Sequence, residues 1–214
     1  MKYKEWDINI AEVKDIINDD YFDKIVFKID DFLKQLENKI KKEEMLLNRI
    51  NEVKKRLVIS KYNIENFWIE QVSSKYIYYS NIGYGDEYLL SPLDPHMQSI
   101  ILGKEYISYF DVLVEFNDDN EEWCYAIDKD YHDNLDIEDF GQYKLFPEQL
   151  CLCTIIDMGE LGEFNSNCLK KILDYLNQKG YQRTSNIFGI IIGRGKVGGK
   201  FNRIMQIYAP ITTL

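Results

Sequence analysis

The stretch YFDKIVFKIDDFLKQLENKIKKEEMLLNRINEVKKRL, residues 21–57, is the segment on which the fold turns. Phe22, Ile25, Ile29, Phe32 and Leu36, then Leu46, Ile50, Val53 and Leu57, fall on alternating steps of three and four. That spacing keeps them on one stripe of a helix with about 3.6 residues per turn. Lys39 and Glu43 interrupt the seam, and Ile40 and Leu47 stand beside them as a shifted continuation. Neither Gly nor Pro occurs between Met1 and Gly83, so no helix breaker falls in the stretch. A seam sustained over about five heptads, with charged residues on the other faces, predicts a coiled coil. A rod of about 50 Å carries more apolar stripe than a small domain covers. Pairing with another helix, parallel or antiparallel, is therefore expected ahead of packing on the chain's own domain.

Upstream of the rod, Asn9-Ile10-Ala11-Glu12 has the form of a capping box opening a short helix through Val13, Ile16 and Ile17. Downstream, after Val58, the texture changes. Residues 67–72 and 75–79 are rich in aromatic and β-branched side chains and read as strands, as do 109–116, 122–127, 150–156, 186–192 and 203–208. Gly83-Tyr84-Gly85-Asp86 reads as a turn, and Ser91 to Gly103 as a loop with a short helix. Asn117-Asp118-Asp119-Asn120 reads as a hairpin turn. An amphipathic helix is expected over 165–179, with Leu169, Ile172, Leu173 and Leu176 on one face and Gly180 as its left-handed stop. These elements predict an α+β fold with an antiparallel sheet.

Composition excludes several classes. Apolar residues make up 45% of the 214 positions, enough for a core. No run approaches the roughly 18 consecutive apolar residues of a membrane span, and the first residues lack the apolar segment of a secretory signal. A cytoplasmic location without membrane contact is expected. Residues 1–58 carry 13 basic and 13 acidic side chains, so the net charge of −10 resides in 59–214. Residues 105–163 hold 17 acids against Lys129 and Lys144, a field that repels nucleic acid and favours cations. Cys124, Cys151, Cys153 and Cys168 form no Cys-x-x-Cys pair, and strand alternation puts Cys151 and Cys153 on one face as buried free thiols. His96 and His132 lack a ligand cluster, so no metal and no cofactor is expected.

Catalytic constellations are equally sparse. Gly193 to Lys200 lacks the residue order of a phosphate-binding loop and is expected to be a flexible basic hairpin tip. Glu160 and Glu163 are paired acids whose spacing alone shows no acid–base role. The aromatic inventory remains: sixteen Tyr, eleven Phe and three Trp, many on predicted strands near acids. Such faces suit flat or cationic ligands, although strands favour aromatics for packing alone.

The segment Asn9 to Ile17, followed by the long helix ending Asn51-Glu52-Val53-Lys54-Lys55-Arg56-Leu57, resembles the region after the DNA-binding helices in MerR-family transcription regulators. Leu145 to Thr154, the helix through Leu169 to Tyr175, Ser185 to Ile192, and Phe201 to Tyr208 resemble the final strand–helix–strand–strand unit of the GyrI-like effector domain. The resemblance covers nearly the whole chain in order. It implies a dimerisation region over 1–58, with homodimer contacts through 21–57, and a GyrI-like domain over 59–214. That domain has two strand–helix–strand–strand repeats about a pseudo-twofold axis, with a small-molecule cleft between them. Multidrug-sensing members bind lipophilic cations in an aromatic pocket with a buried Glu.

Two departures qualify the match. Eight residues precede Asn9, too few for the family's helix-turn-helix, so DNA contact would need that element from a longer chain or a partner. The strand position of the buried Glu matches Gly189 here. The expected pocket walls are Tyr76, Tyr78, Tyr109, Trp123, Tyr125, Phe164, Phe188 and Phe201, with Glu163 as charge partner. The expected role is small-molecule sensing rather than catalysis. The rival roles are an interaction protein forming DNA-incompetent heterodimers, and a GyrI-like hydrolase using Glu70, Glu160 or Glu163.

Overall fold

The computed structural model describes residues 21–83, 106–117, 120–135, 137, 143–160, 162–197 and 199–212. The expected capping box at Asn9–Glu12, the turn at Tyr84–Asp86 and the segment Ser91–Gly103 lie outside them. Helix α1 spans Tyr21–Asn63 and so runs on past Leu57, where the seam ends. In its last turns, polar side chains bond back along the helix rather than break it. Ser60 Oγ donates to Leu57 O at 2.7 Å and Asn63 Nδ2 to Ile59 O at 2.9 Å. The helix stops just before Glu65 turns left-handed (φ 62°) and donates its N–H to Ile155 O at 2.8 Å. No glycine marks that stop, so the seam alone places it early.

The chain divides between Asn48 and Arg49 into two units. In the first, the described part of α1 exposes Val26, Phe27, Leu33, Leu36, Ile40 and Leu47. No helix among the described residues is long and apolar enough to cross a membrane.

The second unit is a sheet with short helices, completing an α+β fold. Its described strands are β1 (Phe67–Val72), β2 (Lys75–Gly83), β3 (Phe110–Phe116), β4 (Glu121–Asp128), β5 (Lys144–Phe146), β6 (Gln149–Asp157), β7 (Gln182–Arg183), β8 (Ile187–Val197) and β9 (Lys200–Thr212). They pair antiparallel in the order β1-β6-β9-β8-β3-β4-β2-β5, with β7 on β9. Two three-strand modules are visible in that order. β2-β4-β3 and β6-β9-β8 each place their third strand in the middle, and they meet where β3 runs antiparallel to β8. The join therefore has local twofold character. In the second module α3 (Lys170–Lys179) connects β6 to β8, giving strand–helix–strand–strand. A short helix α2 (Lys129–Asn134) follows β4.

Local chemistry accounts for the elements. Asn165 Oδ1 accepts the Asn167 N–H at 3.1 Å and opens a 3-10 turn that leads into α3. Gly180, at φ 72°, ends α3 by donating its N–H to Asn177 and Leu176. Asn117 donates its N–H to Asn120 O at 2.9 Å in the β3–β4 hairpin, as expected. The Gly193–Lys200 segment does end the β8–β9 hairpin, but Gly193 to Val197 pair with Lys200 to Ile204, so the strands run further than the expected flexible tip allowed, and Gly199 at the turn has φ 86°. Ile172 and Leu176 of α3 bury against Leu152, Met205 and Ile207 on one sheet face, while Leu173 stays partly exposed. The opposite face buries Leu113, Cys124, Cys151, Cys153, Phe188 and Tyr208. Strands β5 and β7 and helix α2 were not legible from periodicity, since none is long enough to establish one.

From Arg49 onward, charged side chains of α1 reach the sheet. Arg49, only 2% exposed, donates from Nη2 to Asp111 Oδ1 at 2.5 Å and from Nε to Ser108 O at 3.1 Å. Arg56 Nη1 donates to Asp111 Oδ2 at 2.9 Å. Tyr131 of α2 donates its hydroxyl to Glu52 Oε1 at 2.8 Å. Ile50 and Leu57 of the apolar seam remain 54% and 44% exposed. Leu57 nonetheless approaches β8, its Cδ2 lying 3.3 Å from where a Cβ at Gly193 would stand, so the sheet takes a mixed face of these turns, with Ile50 left outside it.

Burial pushes the Asp111 carboxyl up, but Arg56, Arg49 and Lys75 together more than reverse this and hold it below the ordinary carboxylate range. With the folded pKa depressed, the stabilisation is complete at neutral pH. It begins to fall below the unfolded value of about 4 and is lost as pH drops through the folded value. Replacing Asp111→Asn leaves two buried guanidinium groups short of their counter-charge, a loss of about 3–5 kcal/mol. Urea unfolding at pH 7 should show that loss, and the gap between the two proteins should narrow as pH falls below about 4.

Candidate functional site

Alternation along β3 sends Asp111, Leu113 and Glu115 to the face opposite α3. Glu115 is 6% exposed and stands directly across from Phe188 of β8 in the pairing register. Ile77 of β2, and Lys144 and Phe146 of β5, complete the near wall. Together with Asn186 these side chains line a cleft of about 240 Å³ on the join between the two modules, rimmed by Leu145, Pro147, Gln149, Thr184 and Ser185. Its floor is aromatic. The Phe146 ring meets Phe188 edge-on at 4.6 Å, and Phe188 stacks on Tyr208 at 4.8 Å with 10° between the planes.

A polar network enters the cleft from one side. Glu115 Oε1 accepts from Lys144 Nζ at 2.5 Å and from Asn186 Nδ2 at 3.1 Å. Asn186 also donates to Asn117 Oδ1 at 2.5 Å, and Asn117 Nδ2 donates to Glu122 Oε1 at 2.7 Å. The turn residue Asn117 thus fixes the amide that fixes the acid. A buried carboxylate so held offers a charged contact beside two aromatic rings, an arrangement suited to binding a flat or cationic small molecule.

The residues expected as pocket walls do not converge on this cleft. Phe188 lies in it. Tyr76 and Tyr78 share the other sheet face with Tyr125; Tyr76 packs on His132 at 4.6 Å and Tyr143 at 4.7 Å, and Tyr78 meets Phe110 at 6.2 Å. Tyr109 is buried against Tyr131 at 5.3 Å. Trp123 and Phe164 meet edge-on at 5.9 Å inside the core beneath α3. Phe201 is 40% exposed on the β8–β9 hairpin. Glu163 is exposed and accepts the Glu160 N–H at 2.7 Å, a loop contact.

Gly189 points away from the cleft. A Cβ there would lie 2.2 Å from Met205 Sδ and 3.0 Å from Ile207 Cδ1, inside the opposite layer. No acid fits at that position, and the acid of the cleft is Glu115 on the neighbouring strand. One signal pointed to it: Glu115 is the only charged residue in Val112-Leu113-Val114-Glu115-Phe116, on the face that alternation shares with buried Leu113.

No family model and no curated protein sequence matches the chain. Among solved structures it is similar to the crystal structure of the EcmrR C-terminal domain, at 12% identity over 70% of this chain and 98% of that one, with a TM-score of 0.49. It is also similar to EcmrR in a cryo-EM complex with DNA, at 15% identity over 100% and 81% of the two chains, with a TM-score of 0.43. A third likeness is to a hydrolase from Listeria innocua, at 12% identity over 74% and 98%, with a TM-score of 0.40. Likenesses of this degree assign neither ligand nor activity.

Cys124, Cys151 and Cys153 lie under the cleft's side of the sheet and are buried; Cys168 is partly buried near α3. Burial pushes the Cys151 and Cys168 thiols up to about 12, and those of Cys124 and Cys153 higher still. Thiolates are the reactive form, so all four should be inert at pH 8. A thiol-reactive disulfide reagent is expected to label none of them in the native protein and all four in denaturant. Rapid labelling of the native protein at Cys151 or Cys153 would contradict that burial.

Proposed function

We propose that the chain is the effector-sensing part of a MerR-like transcription regulator acting in the cytoplasm. In this reading, residues 59–214 form the sensor and residues 1–58 the dimerisation region. A small aromatic or lipophilic molecule binds in the cleft of Glu115, Phe146 and Phe188. DNA contact comes from a helix-turn-helix supplied by a longer chain or by a partner. The observation that carries the reading is the buried Glu115 carboxylate facing an aromatic floor where the two modules join. A buried carboxylate is costly for a fold to keep, and one placed beside open cleft volume favours a binding role. The order of elements from the long helix to β9 supports the family part of the reading.

Intrinsic fluorescence of the three tryptophans gives the test, with tetraphenylphosphonium and neutral planar aromatics as probes. At least one probe is expected to bind with Kd below about 1 mM, and Phe188→Leu to weaken it about 10-fold, or about 1.4 kcal/mol. If no probe binds below about millimolar, the sensing reading fails.

Pairing through α1 is supported by Leu36, Ile40 and Leu47, exposed in the first unit, and by Ile50, which is 54% exposed in the second. Light scattering at micromolar concentration is expected to give a dimer, and Ile40→Glu a monomer of unchanged circular dichroism in the sheet region. A monomeric wild type would remove this part of the reading.

A further inference from the structure

We infer that Lys144 to Glu148 form a strap over the cleft, hinged at Pro147-Glu148 and latched by the Ser74 hydroxyl, which lifts as one piece to open the cleft. This goes beyond the sensing reading, because it concerns access to the cleft whatever binds there. β1–β2 and β6–β5 make one two-stranded ribbon in a single register. Phe67 to Val72 lie across from Thr154 to Gln149, and Lys75 to Ile77 lie across from Phe146 to Lys144. The ribbon joins the two ends of the strand order, since β1–β6 stands at one end and β2–β5 at the other. Its ladder breaks once in the middle, where Ser73 and Ser74 come opposite Glu148 and Pro147 in that register.

The two sides of the break are held unequally. Ser73 Oγ donates to Asp128 Oδ1 at 2.5 Å, Lys75 pairs with the same carboxylate, and Ser74 O accepts the Lys129 N–H at 2.9 Å. That side is therefore fixed to the end of β4 and the start of α2. On the other side Pro147 has no N–H to give to a ladder. Glu148 donates its N–H to Ser74 Oγ at 3.0 Å, and its carboxylate accepts from Gln71 Nε2 at 3.2 Å, both at the surface. Beyond the break, β5 has three residues and, among the described residues, pairs with β2 alone. Of Lys144 to Glu148, only Phe146 is buried, and its ring on Phe188 is the apolar anchor of the segment. A stretch with so little burial and so few backbone bonds opens at low local cost. Lys144, Leu145, Phe146 and Pro147 all line the cleft, so their position sets its width. With the segment down, the cleft holds about 240 Å³, below the roughly 300–1,000 Å³ usual for small-molecule sites. Lifting the Phe146 ring adds room and uncovers Phe188.

A rigid break in the ribbon is the opposing reading, and amide hydrogen exchange on the full chain without ligand separates the two. In wild type, the ladder-bonded amides among Lys144 to Phe146 are expected to exchange together with Glu148, and faster than Cys151 to Ile155 of β6. Ser74→Ala removes the latch and should speed the Lys144–Phe146 amides about 10-fold, the factor set by one ordinary hydrogen bond, with β6 unchanged. Those amides pair with Lys75 to Ile77 and not with Ser74, so a purely local role for the hydroxyl would move Glu148 alone. Phe146→Leu shortens the anchor and leaves Ser74 in place; it should speed the same amides, that of Glu148 included. If β5 is as protected as β6 in wild type, the break is rigid and the inference falls. It falls equally if Ser74→Ala speeds Glu148 alone, or if Phe146→Leu leaves Glu148 unchanged. The wild-type comparison decides the matter even where a variant fails to fold. No probe molecule enters the measurement, so the sensing reading stands or falls by its own titration.

Discussion

Arg49 and Arg56 stand about two turns apart on one side of α1 and converge on a single carboxylate, Asp111 of β3. Three charges removed from water are tolerated only in good mutual geometry, because desolvation otherwise exceeds the attraction. That demand sets the rotation of the last helical turns against the sheet. Turning the helix to bring Ile50 inward would strand both guanidinium groups. The interaction that docks these turns to the sheet is therefore also the one that keeps Ile50 on their outer side. Glu52 and Tyr131 reinforce the same orientation from α2.

Much of the fold was legible because its elements are long or carry unambiguous stops. The helix seam, the Gly180 stop and the Asn117–Asn120 hairpin each rest on a local rule that tertiary packing did not override. The departures have equally local causes. α1 overran Leu57 because Ser60 and Asn63 bond back to the helix instead of breaking it, and Glu65 takes a left-handed conformation usually left to glycine or asparagine. β5 and β7 are held by neighbours, β2 and β9, rather than by any pattern of their own. The polarity of the helix–sheet contact was not legible either, since a repeat of apolar residues says which stripe is apolar, not what each side will meet.

The site was harder to read than the fold, for a geometric reason. Aromatic residues were abundant, and strands bury aromatics on both faces; only the register decides which of them share a face. Tyr76, Tyr78 and Tyr125 alternate to one side and Phe188 to the other, and Trp123 and Phe164 fill the core beneath α3. The family pattern puts the buried acid on β8 at Gly189, whose missing side chain instead makes room for Met205. Glu115 comes from the strand beside it. A carboxylate inside an otherwise apolar strand was the better guide, because burying one demands partners that the fold must then supply.

The antiparallel pairing of β3 with β8 unites modules from opposite halves of the chain. Contacts so distant in sequence form only after a long stretch of backbone has been closed, whereas the β8–β9 hairpin closes across a tip of a few residues. Folding is therefore expected to begin in the local hairpins and to finish at the seam between modules. The cleft straddles that seam, with Glu115 on one side and Phe188 on the other, so neither half contains it alone. A molecule held there would brace the joint between the modules, so its binding energy would stabilise the whole sheet rather than one module.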